Sequence, residues 1–262
     1  MGRTGLLSRA RNLHAAARRV AEAGGAFPQT AQGLEALPGV GRSTAAAIAV
    51  FAFGERAAIL DGNVKRVLSR VFAVEGDPAG SATLARLWTH AEAELPPEGA
   101  PAADLIDYTQ GLMDLGATVC MPHAADCPKC PLEAHCLSSR RGTPLGRPLP
   151  KPRADIRRIE AWGLVGLHEG ACLMRRRPDR GLWASMWELP WFERETEDFE
   201  SDFRGWAQPW GFSCTSRRDV GQVAFSFTTH RVRAWVVAAE VSAPPAPAGS
   251  VDDKWRLVPF DE

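Results

Sequence analysis

The sequence predicts two domains of different class, an all-helical unit followed by an α+β unit. Three observations carry that expectation. At 262 residues the chain is longer than a typical single domain. Apolar residues recur at helical spacing up to about residue 119, whereas β-branched and aromatic runs dominate after residue 157. Between the two, residues 138–155 hold Pro144, Pro148, Pro150 and Pro152 with Gly142 and Gly146, a composition that reads as an extended tether.

The first helix is expected over residues 8–23, Ala-rich with Leu13 and Val20 for apolar contact. The second runs from 43 to 53 and is closed by Gly54. After Asp61-Gly62-Asn63, the residues Val64, Val67, Leu68 and Val71 fall at i, i+3, i+4 and i+7, one face of a third helix. Lys65, Arg66 and Arg70 occupy its other side. Two more helices follow at 82–95 and 103–115, separated by the breaker Pro96-Pro97. In the second half, 159–167 and 171–175 read as a hairpin turning at Glu169-Gly170, 223–227 and 231–241 as strands, and 198–210 as a helix.

Composition excludes little and charge is balanced. The formal net charge is zero, so bulk charge announces no polyanionic partner. Residues 138–158 do hold Arg140, Arg141, Arg147, Lys151, Arg153, Arg157 and Arg158 against the single acid Asp155. Such a stretch suits a phosphate backbone, yet a solvated linker is the simpler reading. No apolar run approaches the ~20 residues of a membrane helix. Arg3, Arg9, Arg11, Arg18 and Arg19 precede the first acid, Glu22, which is also the composition of a transit peptide.

Cys120, Cys127, Cys130 and Cys136 are spaced C-x6-C-x2-C-x5-C. Four thiolates from one short loop can converge on a soft metal centre. Zinc accepts four thiolates but more usually takes paired C-x2-C knuckles; a [4Fe–4S] cluster takes the same donors. Disulfides have little support without a secretory signal. Cys172 and Cys214 stand apart, and no role is assigned to them.

Two further motifs carry chemistry. Leu37-Pro38-Gly39-Val40-Gly41-Arg42-Ser43-Thr44-Ala45 is a glycine-punctuated turn feeding a helix start, whose free N–H groups suit one DNA phosphate. A plain helix–turn–helix corner is the alternative. Ile59-Leu60-Asp61-Gly62-Asn63-Val64 puts Asp61 just ahead of a helix N-terminus, where the dipole favours the ionised carboxylate. A carboxylate so placed can stabilise a sugar oxocarbenium ion, or Asp61 or Asn63 can simply be an N-cap.

Taken in order, Arg9-Ala10-Arg11-Asn12-Leu13-His14, residues 37–45, residues 59–67, Met113-Asp114-Leu115-Gly116-Ala117 and the four-cysteine loop resemble the MutY family of adenine DNA glycosylases, within the helix-hairpin-helix superfamily. The resemblance is dense over residues 5–137 and places the N-terminal arginines in a glycosylase helix rather than a leader. It implies a helical glycosylase domain at 1–119 and an iron–sulfur loop at 120–137. A Pro/Arg-rich linker at 138–156 and a Nudix-like α+β lesion-recognition domain at 157–262 would follow. It further implies a [4Fe–4S] cluster on the four cysteines and Asp61 as catalytic aspartate with Asn63 beside it. Gly39, Val40, Gly41, Ser43 and Thr44 would lie against DNA. The implied reaction is hydrolytic removal of adenine opposite 8-oxoguanine, by a monomer acting on double-stranded DNA; if the source is bacterial, the expected location is cytoplasmic and nucleoid-associated. A non-catalytic lesion-binding protein is one alternative. An endonuclease III-type lyase is another, disfavoured because Ser43 stands where that group carries its lysine nucleophile.

The second half resembles the family's Nudix-like domain through residues 173–178 and 181–190. Glu193, Glu195, Glu197 and Glu200 lack the R-E-x-x-E-E spacing of a working pyrophosphohydrolase, so recognition is expected instead. The family's Phe-Ser-His turn aligns with Phe227-Thr228-Thr229, where Thr229 in place of histidine weakens the match; Phe225 and Phe227 as ordinary strand residues is an equal alternative. The family's upstream helices, with the glutamate that protonates the leaving adenine, have no counterpart here. The expectation is therefore weak excision and uncovered apolar surface on the helical domain.

Overall fold

The computed structural model describes residues 6–149, 155–181, 183–227, 229–242 and 254–260. They belong to two compact units, Met1–Pro152 and Arg153–Glu262. Among the described residues no helix is long and apolar enough to cross a membrane.

The first unit is built from α1 (Leu6–Glu22), α2 (Ala31–Glu35), α3 (Arg42–Phe53), α4 (Gly62–Val71), α5 (Ser81–Ala93), α6 (Ala102–Asp114) and the single turn α7 (Leu137–Arg140). Alanine explains why α3 sits at its centre. Ala45 and Ala49 pack with Val20, Leu34 and Leu37, while Ala46 packs with Ile59, Leu60, Val64, Leu68 and Leu87. Side chains this small let other elements close on two sides of one helix. Gly54 then ends α3 in the left-handed conformation, φ 68°, its N–H returning to the Ala49 and Val50 carbonyls. Leu13, Phe27, Phe51 and Phe53 remain exposed.

In this unit the expected helices form within one or two residues of their expected ends. The five-residue α2 carries too short a pattern to register and was not expected. The proline-dense stretch departs from an extended tether in its first half. Residues 137–140 are helical, the Arg70 guanidinium donates to the Arg147 carbonyl at 2.8 Å, and Arg147 pairs with Glu75 at 2.7 Å. Proline at 144 opens a short 3₁₀ turn, where its missing N–H costs nothing.

The second unit is a mixed sheet with one described α-helix. Its strands are β1 (Arg157–His168), β2 (Ala171–Arg176), β3 (Trp187–Glu188), β4 (Trp191–Glu193), β5 (Cys214–Phe227), β6 (His230–Val241) and β7 (Trp255–Pro259). The order is β3-β2-β1-β6-β5, with β4 also on β1 and β7 also on β2. Among the described strands only β1 and β6 run parallel, in register from Arg157↔His230 to Leu167↔Glu240. The β1–β2 turn has positive φ at both Glu169 (45°) and Gly170 (79°), the primed geometry that matches strand twist. Helix α8 (Phe199–Ala207) is capped by Asp198, which accepts from the Glu200 and Ser201 amides at 3.2 Å. Phe199 and Phe203 bury against Trp162, Leu164, Leu173 and Phe192. Strand β5 begins nine residues before its expected start; bulges near Ser216 and Gly221 break the alternation that sequence reading relies on.

Candidate functional site

Asp61 caps α4, as its sequence position allows. One carboxylate oxygen accepts the Val64 amide at 2.8 Å, and no other hydrogen bond reaches its side chain among the described residues. The preceding residue is tied down separately: the Leu60 amide donates to the Ser43 hydroxyl at 2.9 Å. Ser43 lies in the first turn of α3, so a side chain of the glycine hairpin fixes the backbone that presents Asp61. The carboxylate is half-buried, with one oxygen spent on the cap and the other without a hydrogen bond among the described residues.

Asn63 faces inward. Its amide oxygen accepts from Arg66 at 2.8 Å, and the same guanidinium donates to the Gly116 carbonyl at 2.6 Å and the Cys120 carbonyl at 2.7 Å. One arginine therefore joins the residue two beyond Asp61 to the first cysteine. The acceptor geometry depends on a wide π-type turn at Leu115–Val119, closed by the Cys120 amide on the Leu115 carbonyl at 2.7 Å. Gly116 within that turn has no room for a side chain: an added Cβ would lie 2.6 Å from the Asn63 Cβ. Gly116→Ala is expected to displace Asn63 and cost about 1–3 kcal/mol through overpacking, read as a lowered urea midpoint with unchanged m-value.

The hairpin itself is held from α1. Gly39 has φ 78°, and a Cβ there would meet the Asn12 Cβ at 2.5 Å, so Asn12 packs directly on the turn. Gly41 caps α3 with extended backbone and no side-chain hydrogen bond. The first amides of α3 are thus uncapped by side chains, and Gly41 and Thr44 are exposed beside them.

Arg66 and Arg70 are what sequence reading missed. Both are buried, Arg70 to 2% exposure and Arg66 to 9%. Arg70 donates to Cys120 Sγ at 3.2 Å, to the Met121 carbonyl at 2.9 Å and to the Pro122 carbonyl at 3.3 Å. Among the described residues neither arginine makes an ion pair with a carboxylate. Burial and the neighbouring Arg70 charge lower the pKa of Arg66 from its usual value. The available signal was their i, i+4 spacing on α4 with no acid one turn away.

In the second unit, Phe227 closes β5, stacked on His230 with centroids 5.1 Å apart and tilted against Trp183 at 4.9 Å. It also packs on Ile159, Ala161, Val232 and Ala234, so it borders a small apolar cluster. The Thr229 carbonyl accepts from the Arg157 amide at 2.8 Å, and its hydroxyl lies 3.3 Å from His230 Nδ1. Thr228 lies outside the described residues. Glu193 pairs with Arg157, and Glu197 approaches Arg194.

Comparison with known proteins agrees with this layout. A helix-hairpin-helix motif matches residues 22–51 and a NUDIX domain matches residues 161–262. The chain is 31% identical to the human adenine DNA glycosylase over 94% of its own length and 54% of that protein's, and 34% identical to the mouse adenine DNA glycosylase over 71% and 44%. The chain belongs to the MutY family of adenine DNA glycosylases. It spans about half the length of the curated relatives it matches. Among solved structures it is similar to a thermostable thymine-DNA glycosylase, at 34% identity and a TM-score of 0.44 over 52% of this chain and 61% of that one.

For this MutY-family chain the fit of an iron–sulfur cluster rests on its own residues. Cys120, Cys127, Cys130 and Cys136 line one pocket with Val67, Arg70, Leu115 and Val119. Burial raises the Cys130 thiol pKa, a backbone hydrogen bond at Leu132 lowers it, and the three other cysteines raise it further. Four thiolates crowded this way repel one another and need a cationic core. Arg70, buried with three carbonyl partners and the Cys120 sulfur but no carboxylate, needs the opposite. A cluster ligated by four thiolates meets both demands, since its net charge is negative. Among the described residues no three His, Cys, Asp or Glu side chains are gathered closely enough to hold a metal ion, so the four cysteines share a pocket without converging on a single point.

Proposed function

We propose that this chain is the DNA-repair glycosylase part of a MutY-family protein, hydrolysing the N-glycosidic bond of adenine paired with 8-oxoguanine in duplex DNA. The observation that carries the reading is Asp61. Its carboxylate is capped through one oxygen, anchored to the hairpin by Leu60 and Ser43, and joined to the cysteine loop through Asn63 and Arg66.

The adenine leaves the stack before its sugar meets Asp61. The bond from C1′ to the base nitrogen breaks, its electron pair leaves with adenine, and positive charge develops on the sugar. The ionised Asp61 stabilises that charge, and Asn63 holds the adjoining backbone in place. Water then adds to C1′ and loses a proton, the departing adenine takes one up from solvent, and an abasic site and neutral adenine remain. Gly39, Val40, Gly41, Ser43 and Thr44 present backbone and hydroxyl donors to one phosphate. Phe227, Thr228 and Thr229 meet the oxidised purine. Cys120, Cys127, Cys130 and Cys136 hold a [4Fe–4S] cluster, which supplies negative charge for Arg70 and fixes the loop. The same reading takes the chain as a monomer on duplex DNA, nucleoid-associated if the source is bacterial.

The family's proton donor has no counterpart in residues 1–262. Assayed by itself, the chain is expected to excise adenine roughly 10²- to 10⁴-fold more slowly than an enzyme with that acid. Single-turnover assays on A:8-oxoguanine and A:T duplexes test the reading. Slow release from the first and none from the second is the expected result. Equal release from both would remove the lesion specificity, and a covalent adduct trapped by borohydride would point to a lyase.

A further inference from the structure

We propose that Arg42 is a duplex-phosphate ligand kept occupied by Glu92 until DNA arrives. The proposal deepens the hairpin reading above and rests on it. Arg42 is the first residue of α3, directly after the Gly41 cap. The first turn of that helix holds no acid, so a cation there opposes the helix dipole. Two side chains of α5 compensate. The Arg42 guanidinium carbon lies 3.8 Å from the centroid of the Trp88 ring, and Glu92 accepts an ion-paired hydrogen bond from its Nη2. Arg42 and Glu92 retain 51% and 53% side-chain exposure, so the pair is open to solvent.

The two partners behave differently when an anion approaches. A half-exposed carboxylate pair is weak and screened by salt. A backbone phosphate offers bidentate oxygens and releases counterions from the duplex as it binds. Phosphate therefore displaces Glu92. Trp88 does not leave, because its attraction is to the face of the guanidinium. The ring thus keeps the guanidinium oriented beside the hairpin while the carboxylate exchanges for phosphate. A plain surface ion pair would lose that orientation when it opened.

The test is duplex affinity against potassium chloride, using undamaged and A:8-oxoguanine duplexes. R42Q is expected to reduce the slope of log K against log salt by about 0.9, the signature of one lost phosphate contact. E92Q is expected to tighten binding about two- to five-fold. In the R42Q/E92Q double variant that gain should vanish, because Glu92 acts through Arg42. Melting temperatures of the three variants establish that each is folded. An unchanged slope in R42Q, or a gain from E92Q that persists without Arg42, overturns the proposal while leaving the hairpin reading standing. Absence of any salt-dependent duplex binding by the parent chain overturns both.

Discussion

Cys130→Ser is expected to strip iron and sulfide from the purified chain and to cost several kcal/mol of stability. Serine is a hard, weakly acidic donor and a poor replacement for a thiolate on iron. Cys127 and Cys130 are brought together by the 3₁₀ turn at Cys127–Lys129, with the Cys130 amide on the Cys127 carbonyl at 2.9 Å. The backbone of that turn does not need a thiol, so the loop can still form locally. What is lost, on the proposed reading, is the negative centre beside Arg70. A buried guanidinium left with carbonyl partners and the lone Cys120 sulfur costs at most about 3–5 kcal/mol. The same reasoning predicts that Arg70→Met partly rescues the stability of Cys130→Ser, since the uncompensated charge goes with it. Iron, sulfide and zinc analysis of the parent chain is the direct measurement. A stoichiometric zinc content would reassign the centre, and a metal-free, stable parent would remove it.

Much of this architecture was legible in the sequence because the signals were local. The α4 stripe of Val64, Val67, Leu68 and Val71 has a helix's period, and Gly54 and Asp61 are helix punctuation. The Glu169-Gly170 turn announced the β1–β2 hairpin for the same reason. What stayed hidden depends on contacts distant in sequence. Arg66 and Arg70 lie on the polar side of α4 in a helical projection, yet they bury because carbonyls 50 or more residues away accept their protons. Gly116 looked like one letter of a motif; its need for glycine is visible only from the Asn63 Cβ it faces. The early start of β5 was masked by bulges, and the folded first half of the proline-rich stretch by contacts from Arg70 and Glu75.

Those distant contacts also change how Asp61 is understood. Its cap, its anchor through Leu60 and its link through Asn63 to Arg66 belong to three different parts of the first unit: α4, the hairpin and the cysteine loop. A cap alone needs only the first of these. The other two restrict where the carboxylate can sit, as the proposed role against a sugar would require.

Asp61→Asn separates the observed cap from the proposed electrostatic role of this residue. Asparagine is as good an N-cap as aspartate, and its amide oxygen can still accept the Val64 amide. Only the charge is removed, worth about 0.3–1 kcal/mol to the helix dipole. Thermal melting should therefore shift by a few degrees at most. Excision should fall about 10²- to 10³-fold, the scale on which losing one preorganised electrostatic contact slows an enzyme. Since the parent chain is expected to be slow, a second readout avoids dependence on turnover. A duplex carrying a cationic pyrrolidine in place of the deoxyribose imitates the developing charge. The parent should bind it more tightly than a neutral abasic duplex, and Asp61→Asn should lose most of that preference. The outcome that defeats the assignment is a variant that melts several degrees lower yet keeps the parent's rate and its preference for the cationic sugar. Asp61 would then be a helix cap and nothing more, and the carboxylate that serves the sugar would have to be sought elsewhere.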